Sequence, residues 1–194
     1  MKRIRLEPEA YRLGHCFSVT LTAAERAPDL TQPDAIQICM TALKQAAEKC
    51  EASVYAYCFM PDHLHLLAST PDGVSFVDFI RHFKQLSAYR LRRQFQTGHP
   101  LWQTRFYDHA LRSDESVAAV ARYIFDNPVR AGMAANAADY PCSGSLVWKG
   151  VLSSSGSEDP DLRSALSSSG SEDPDLHPEA AVMQGDRKEV RTWT

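Results

Sequence analysis

The segment "ASVYAYCFMPDHLHLLAS" (52–69) decides the fold. Its first half, 52–60, is rich in β-branched and aromatic residues and predicts a strand. Pro61 and Asp62 suit a tight connection. The run 63–69 then predicts a second strand folded back on the first as a hairpin. That second strand carries two imidazoles in an otherwise apolar run. Side chains alternate along a strand, so His63 and His65 point to one face, and Leu64 and Leu66 to the other. Two neutral imidazoles on one face can converge on a cation, with a carboxamide oxygen or water completing the site. The same pattern also fits the half-wet polar face of an ordinary strand.

The elements on either side extend the hairpin into a fold. Residues 15–23, "HCFSVTLTA", predict a strand, and 33–51 predict a helix with Ile36, Met40, Leu43 and Ala47 on its inner face. After the hairpin, 75–95 predict a long helix with Phe76, Phe79, Ile80, Phe83 and Leu86 on one side. Residues 105–112 predict a fourth strand. A last helix is expected to start at a Ser113 cap, with Asp114 and Glu115 in its first turn, and to stop before Pro128. The order β-α-β-β-α-β-α joins two β-α-β halves through a central hairpin. It predicts an α+β, ferredoxin-like split β-α-β sandwich. Both main helices would share one sheet face, leaving the other for a site or for the last helix.

Composition narrows the class. Across 194 residues, 44% are apolar and 23% charged, as in ordinary globular proteins. The basic N-terminus lacks the apolar core of a signal peptide, and no stretch approaches the length of a membrane span. A cytoplasmic protein with no membrane partner is expected. The five cysteines form no CxxC pair, so free thiols are expected rather than a zinc ribbon or disulfide framework. A boundary is expected near residue 150. "LSSSGSEDPDLRSA" (152–165) is followed at once by "LSSSGSEDPDLHPE" (166–179), too polar to form a core. Residues 151–194 therefore read as an acidic, repeat-containing disordered tail, and 1–150 as the folded domain.

The net charge of −3 conceals an asymmetry. Residues 1–150 hold 17 Lys and Arg against 15 acids, whereas 151–194 hold 4 against 9. No acid lies between Asp78 and Asp108, while Arg81, Lys84, Arg90, Arg92, Arg93 and Arg105 all do. Such a footprint attracts phosphates, although a solvated helix face would look the same. Tyr89 and Phe95, interleaved among these cations, could stack on bases. Trp102 and Arg130 are further candidate contacts.

On the last helix, Tyr123 and Asn127 are four residues apart and share a face, beside an apolar stripe of Val117, Val120, Ala121 and Ile124. If that helix edge meets the histidine strand, Asn127 can supply an oxygen ligand and Tyr123 can stand beside the cation. Taken singly, Tyr123 is also a plain boundary aromatic, and Asn127 a plain helix C-cap.

Three stretches carry a family resemblance: "YCFMPDHLHLL" (57–67), "LWQTRFYDHALR" (101–112) and "ARYIFDNPVRAG" (121–132). Together they resemble the tyrosine transposases associated with repetitive extragenic palindromes (REP), which are single-tyrosine HUH endonucleases of the IS200-like superfamily. The resemblance spans most of 11–145, and HLH followed by Y-x-x-x-N-P-V-R-A-G is a specific combination. "DYPCSGSLVW" (139–148) departs from the pattern, since relatives often have a Trp and paired serines there, and the acidic repeats have no counterpart.

The resemblance implies a ferredoxin-like core with a catalytic C-terminal helix. It also implies a nuclease that nicks and transfers single-stranded, hairpin-forming palindromic DNA through a 5′-phosphotyrosine. Carried over by position, Tyr123 is the nucleophile, His63 and His65 are metal ligands, and Asn127 takes the place of the third, polar ligand. The implied cofactor is a divalent cation, Mg²⁺ or Mn²⁺. Arg81, Lys84, Arg90, Arg92, Arg93, Arg105 and Arg130 would contact DNA, His109 is an accessory candidate for the general base, and the protein would act as a monomer or homodimer. A rival is a catalytically inactive DNA-binding or regulatory protein on the same fold, which an altered HLH or a missing tyrosine would favour. A second rival, an H-x-H barrel hydrolase, needs about 250 residues, more than the folded part offers.

Overall fold

A computed structural model describes residues 7–148 apart from 26, 97 and 99. The expected tail, 151–194, lies outside the described residues. In chain order the elements are β1 (Cys16–Thr22), α1 (Pro33–Cys50), β2 (Ser53–Phe59), β3 (His63–Ser69), α2 (Phe76–Phe95), β4 (Tyr107–Ala110), α3 (Val117–Arg130) and β5 (Ser143–Gly144). The strands form one sheet in the order β4-β1-β3-β2-β5, with every pairing antiparallel. The first four strands give the ferredoxin-like split β-α-β arrangement. β5 is an added edge strand that the sequence did not announce.

The hairpin turns through Pro61 and Asp62, and the Met60 amide donates to the His63 carbonyl at 2.8 Å. The two faces of the sheet differ. On β1, Phe17, Val19 and Leu21 are buried, whereas Cys16, Ser18, Thr20 and Thr22 are only half-buried. These buried residues pair with Ala68, Leu66 and Leu64, so all six share one face. That face lies under α2: the Phe17 and Phe76 rings are 4.6 Å apart. α1 packs against α2 beside it. Phe76, Phe79 and Phe83 are fully buried, each worth about 1.5–3 kcal/mol of transfer free energy.

The opposite face is covered only in part. In β2 and β3 the runs Ala56–Phe59 and Leu66–Ala68 are buried on both faces, and α3 is the element packed on those two strands. Val120, Ala121, Ile124 and Phe125 form its inner stripe. Over β1 the side chains of this face are only half-buried among the described residues, which leaves room for a site.

Several expectations shift. The inner face of α1 is Ala35, Cys39, Ala42, Leu43, Ala46 and Ala47, with Ile36 and Met40 only half-buried. Small residues let α1 and α2 approach closely. β4 is shorter than the 105–112 expected. α3 is capped by Ser116, whose Oγ accepts from the Ala119 amide at 3.4 Å, and not by Ser113. The Glu115 carboxylate instead closes a turn, accepting from the Arg112 amide at 2.6 Å. α3 also passes through Pro128 rather than stopping before it. Proline cannot donate to the Ile124 carbonyl four residues back. The Asn127 side chain repairs the gap by donating its Nδ2 to that oxygen at 3.2 Å.

The stretch after α3 ties down the sheet edge. Tyr140 donates its hydroxyl to the Phe59 carbonyl at 2.7 Å, and Gly144 pairs with Tyr57. A Cβ on Gly144 would come within 2.7 Å of the Tyr57 hydroxyl, so a larger residue there would force the Tyr57 ring to shift. All five cysteines are free.

Candidate metal and nucleophile site

The site is built outward from β3. Alternation sends His63 and His65 to the partly open face, where both are half-buried. Their Nε2 atoms converge to 3.0 Å. The other nitrogen of each ring is also engaged. His63 Nδ1 lies 2.6 Å from Asp62 Oδ1, and His65 Nδ1 lies 3.2 Å from Thr20 Oγ1 across the β1–β3 pairing. Two ligand nitrogens about 2.1 Å from one cation and at right angles to each other stand about 3.0 Å apart. The pair therefore has the spacing of two adjacent ligands, with the outer nitrogens held as ligating histidines usually are.

The rest of the ligand set must come from other chemistry. Among the described residues no group of three or more His, Cys, Asp or Glu is disposed to hold a metal ion. Cys58 faces His65 across the sheet, but burial pushes its thiol up to about 12, so it stays protonated at neutral pH. Carboxamide oxygen, water or substrate phosphate would complete a site of this kind.

α3 presents the second group. Tyr123 and Asn127 are both half-buried, on the helix that packs against β2 and β3. Because the Asn127 amide nitrogen is committed to Ile124, its Oδ1 is the atom left to face a ligand. The Arg130 guanidinium lies 4.1 Å from the centre of the Tyr123 ring, in cation–π range. Nearby, burial raises the Asp126 carboxyl above its ordinary value, against the pull of Arg122 and Arg130.

Of the basic set, Arg130 lies beside Tyr123, whereas the cations of α2 do not gather around this centre. α2 lies on the opposite sheet face, and most of its polar heads have local work. Arg81 pairs with Asp78, and Arg90 donates to Gln45 Oε1 on α1 at 2.6 Å. Lys84 donates to the Gln103 and Thr104 carbonyls, and burial lowers its pKa, so it clamps the chain before β4. Arg93 lies over the exposed Tyr89 ring, 5.8 Å from its centre. Arg92 and Arg105 are exposed. Trp102, a candidate DNA contact, is a core residue: its indole donates to Ser87 Oγ at 2.9 Å and packs on Phe83. His109 shares the open face with His65 but binds both Glu115 oxygens, at 2.9 and 3.0 Å.

Sequence reasoning passed over two residues, Asp62 and Thr20. Asp62 could have been suspected from its place directly before His63. Thr20 could not, because only the strand register sets it against His65.

The comparisons agree with this architecture. The family described as "Transposase IS200 like" matches residues 15–127. A protein of Haemophilus influenzae named as a REP-associated tyrosine transposase is 31% identical over 113 residues, 53% of this chain and 64% of that one. An Escherichia coli protein named REP-associated tyrosine transposase is 29% identical over 93 residues, 46% of this chain and 52% of that one. The chain thus spans about half to two thirds of the length of these relatives. A solved structure of a REP-associated tyrosine transposase bound to a REP hairpin superposes with a TM-score of 0.61 at 24% identity, covering 74% of this chain and 82% of that one. With the family match running from before β1 to Asn127 in α3, the chain belongs to the IS200-like transposase family.

Proposed function

We propose that the protein nicks single-stranded DNA beside a hairpin and transfers the strand, with Tyr123 as nucleophile and a divalent cation, Mg²⁺ or Mn²⁺, as cofactor. The observation that supports this reading is the 3.0 Å convergence of the His63 and His65 Nε2 atoms on β3, one of the two strands against which α3, the helix carrying Tyr123 and Asn127, packs. His63, His65 and the Asn127 Oδ1 would hold the cation. When bound, it would draw charge from a non-bridging oxygen of the scissile phosphate.

The chain's own groups account for the remaining steps. Tyr123 Oη attacks phosphorus in line, and the bond to the 3′ oxygen breaks. The 3′ hydroxyl leaves with a proton, and a 5′-phosphotyrosine remains. Attack by another 3′ hydroxyl reverses these changes and reseals a strand without an external energy source. A phenol is protonated near neutral pH, so Tyr123 gives up its proton as it attacks, and the departing 3′ oxygen takes one up. The hairpin substrate is supported by the relatives' names and by the REP hairpin held by the structural neighbour.

The test is incubation with end-labelled hairpin DNA in Mg²⁺ or Mn²⁺, with the products resolved under denaturing conditions. A covalent adduct at the 5′ end created by the nick, together with a free 3′ hydroxyl on the other fragment, is expected. DNA binding without nick or adduct under either metal would favour a regulatory protein instead.

A further inference from the structure

The two histidines of the site have unlike partners. Asp62 offers His63 Nδ1 a carboxylate, which can only accept. His63 must then carry its proton on Nδ1, and in the neutral ring its Nε2 is a bare lone pair. The 3.0 Å contact between the two Nε2 atoms needs one donor, so without a cation the proton belongs to His65 Nε2. His65 Nδ1 is then an acceptor, and the Thr20 hydroxyl donates to it across 3.2 Å.

A cation between the rings requires both Nε2 lone pairs. His63 already offers one. His65 does so only by giving up its Nε2 proton and taking one on Nδ1, which leaves the ring neutral. Its neighbour must then change from donor to acceptor. A hydroxyl can do both, whereas a carboxylate or an amide N–H can do only one. We infer that Thr20 and Asp62 are positioning residues with opposite tasks: Asp62 locks His63 in its ligating tautomer, and Thr20 lets His65 change tautomer when a cation arrives. The inference rests on the metal reading above and goes beyond it by making the two ligands unequal.

Nitrogen-15 spectra of the imidazoles, with and without Mg²⁺, read this directly. Without metal, the proton should be on His63 Nδ1 and on His65 Nε2. With saturating Mg²⁺, both should be on Nδ1. Mn²⁺ affinity, followed by electron paramagnetic resonance, should fall about 10- to 100-fold in Thr20→Val. Thr20→Ser, which keeps the hydroxyl, should stay near wild type. The strand position is half-buried and tolerates β-branched residues, so Thr20→Val should melt as wild type does. If His65 is found with its proton on Nδ1 before metal is added, or if Thr20→Val binds Mn²⁺ as tightly as wild type, the inference is wrong while the metal reading stands. Failure of the wild-type protein to bind Mn²⁺ would remove both.

Discussion

The two faces of the sheet are covered by helices of similar amphipathic pattern but put to different uses. On the α1–α2 face the cover is complete, and the apolar surface is closed by aromatic rings such as Phe17 against Phe76. Its most visible chemical signal, the run of cations on α2, is largely spent within the protein, as with Lys84 on two carbonyls and Arg90 on Gln45. On the other face α3 packs on β2 and β3, while among the described residues the β1 side chains stay half-buried and the histidine pair sits beside the covered part. That face holds the paired imidazoles. A charge run therefore pointed less surely to the site than two histidines and a tyrosine on an incompletely covered face.

Substitutions on the two faces should separate stability from chemistry. The largest effect on folding is expected from Phe79→Ala, which opens a cavity under α2 and should cost about 3–5 kcal/mol, read as a lower denaturation midpoint. His65→Ala should change that midpoint far less and abolish DNA cleavage. If the two variants lost stability equally, the distinction between a closed face and an open one would fail.

Asn127→Ala sharpens the comparison because it touches both roles. It removes the donor that repairs the Pro128 gap and should cost about 1 kcal/mol of stability. It should also reduce cleavage less than His65→Ala, since water can occupy the position of Oδ1. Full cleavage by this variant would leave Asn127 a purely structural residue.

The exposed cations give a smaller effect. Arg92→Ala should leave folding unchanged. If Arg92 contacts a phosphate, the slope of log affinity against log salt should flatten by about one unit. An unchanged slope would assign the α2 surface wholly to solvation.

The smallest effect concerns Glu115. Burial alone would raise its pKa, but the Arg112 amide and His109 hold it below its ordinary value. A depressed carboxylate contributes stability above the unfolded pKa of about 4.3 and loses it as pH falls through the folded value. Glu115→Gln should therefore cost less than about 1 kcal/mol at neutral pH. The gap should narrow as pH drops below about 4. A constant gap across that range would mean that the His109–Glu115 contact does not depend on charge.

Much of this was legible because local signals agreed with one another. The Pro61–Asp62 turn between two β-rich runs specified the hairpin, and alternation alone put His63 and His65 on one face. The four-residue spacing put Tyr123 and Asn127 on one side of α3. What escaped depended on partners distant in sequence or on competing local bonds. Thr20 meets His65 only through a register set 45 residues away. Ser113 looked like a cap, but Glu115 folds back on Arg112 and His109, and the helix starts one turn later at Ser116. Pro128 looked like a stop until Asn127 satisfied the carbonyl that proline leaves bare. Trp102 stayed a candidate contact because nothing local shows that Ser87 accepts its N–H.

The central claim is that Tyr123 forms the covalent link to DNA. Tyr123→Phe removes a single oxygen from a half-buried ring, so folding and hairpin binding should match wild type. The direct measurement is mass spectrometry of proteolysed protein–DNA adducts formed with labelled hairpin DNA. The wild-type protein should give a nucleotide on the peptide that contains Tyr123, and Tyr123→Phe should give no adduct. An adduct of undiminished yield in Tyr123→Phe, or one mapped to Tyr107 or Tyr89, would contradict the account.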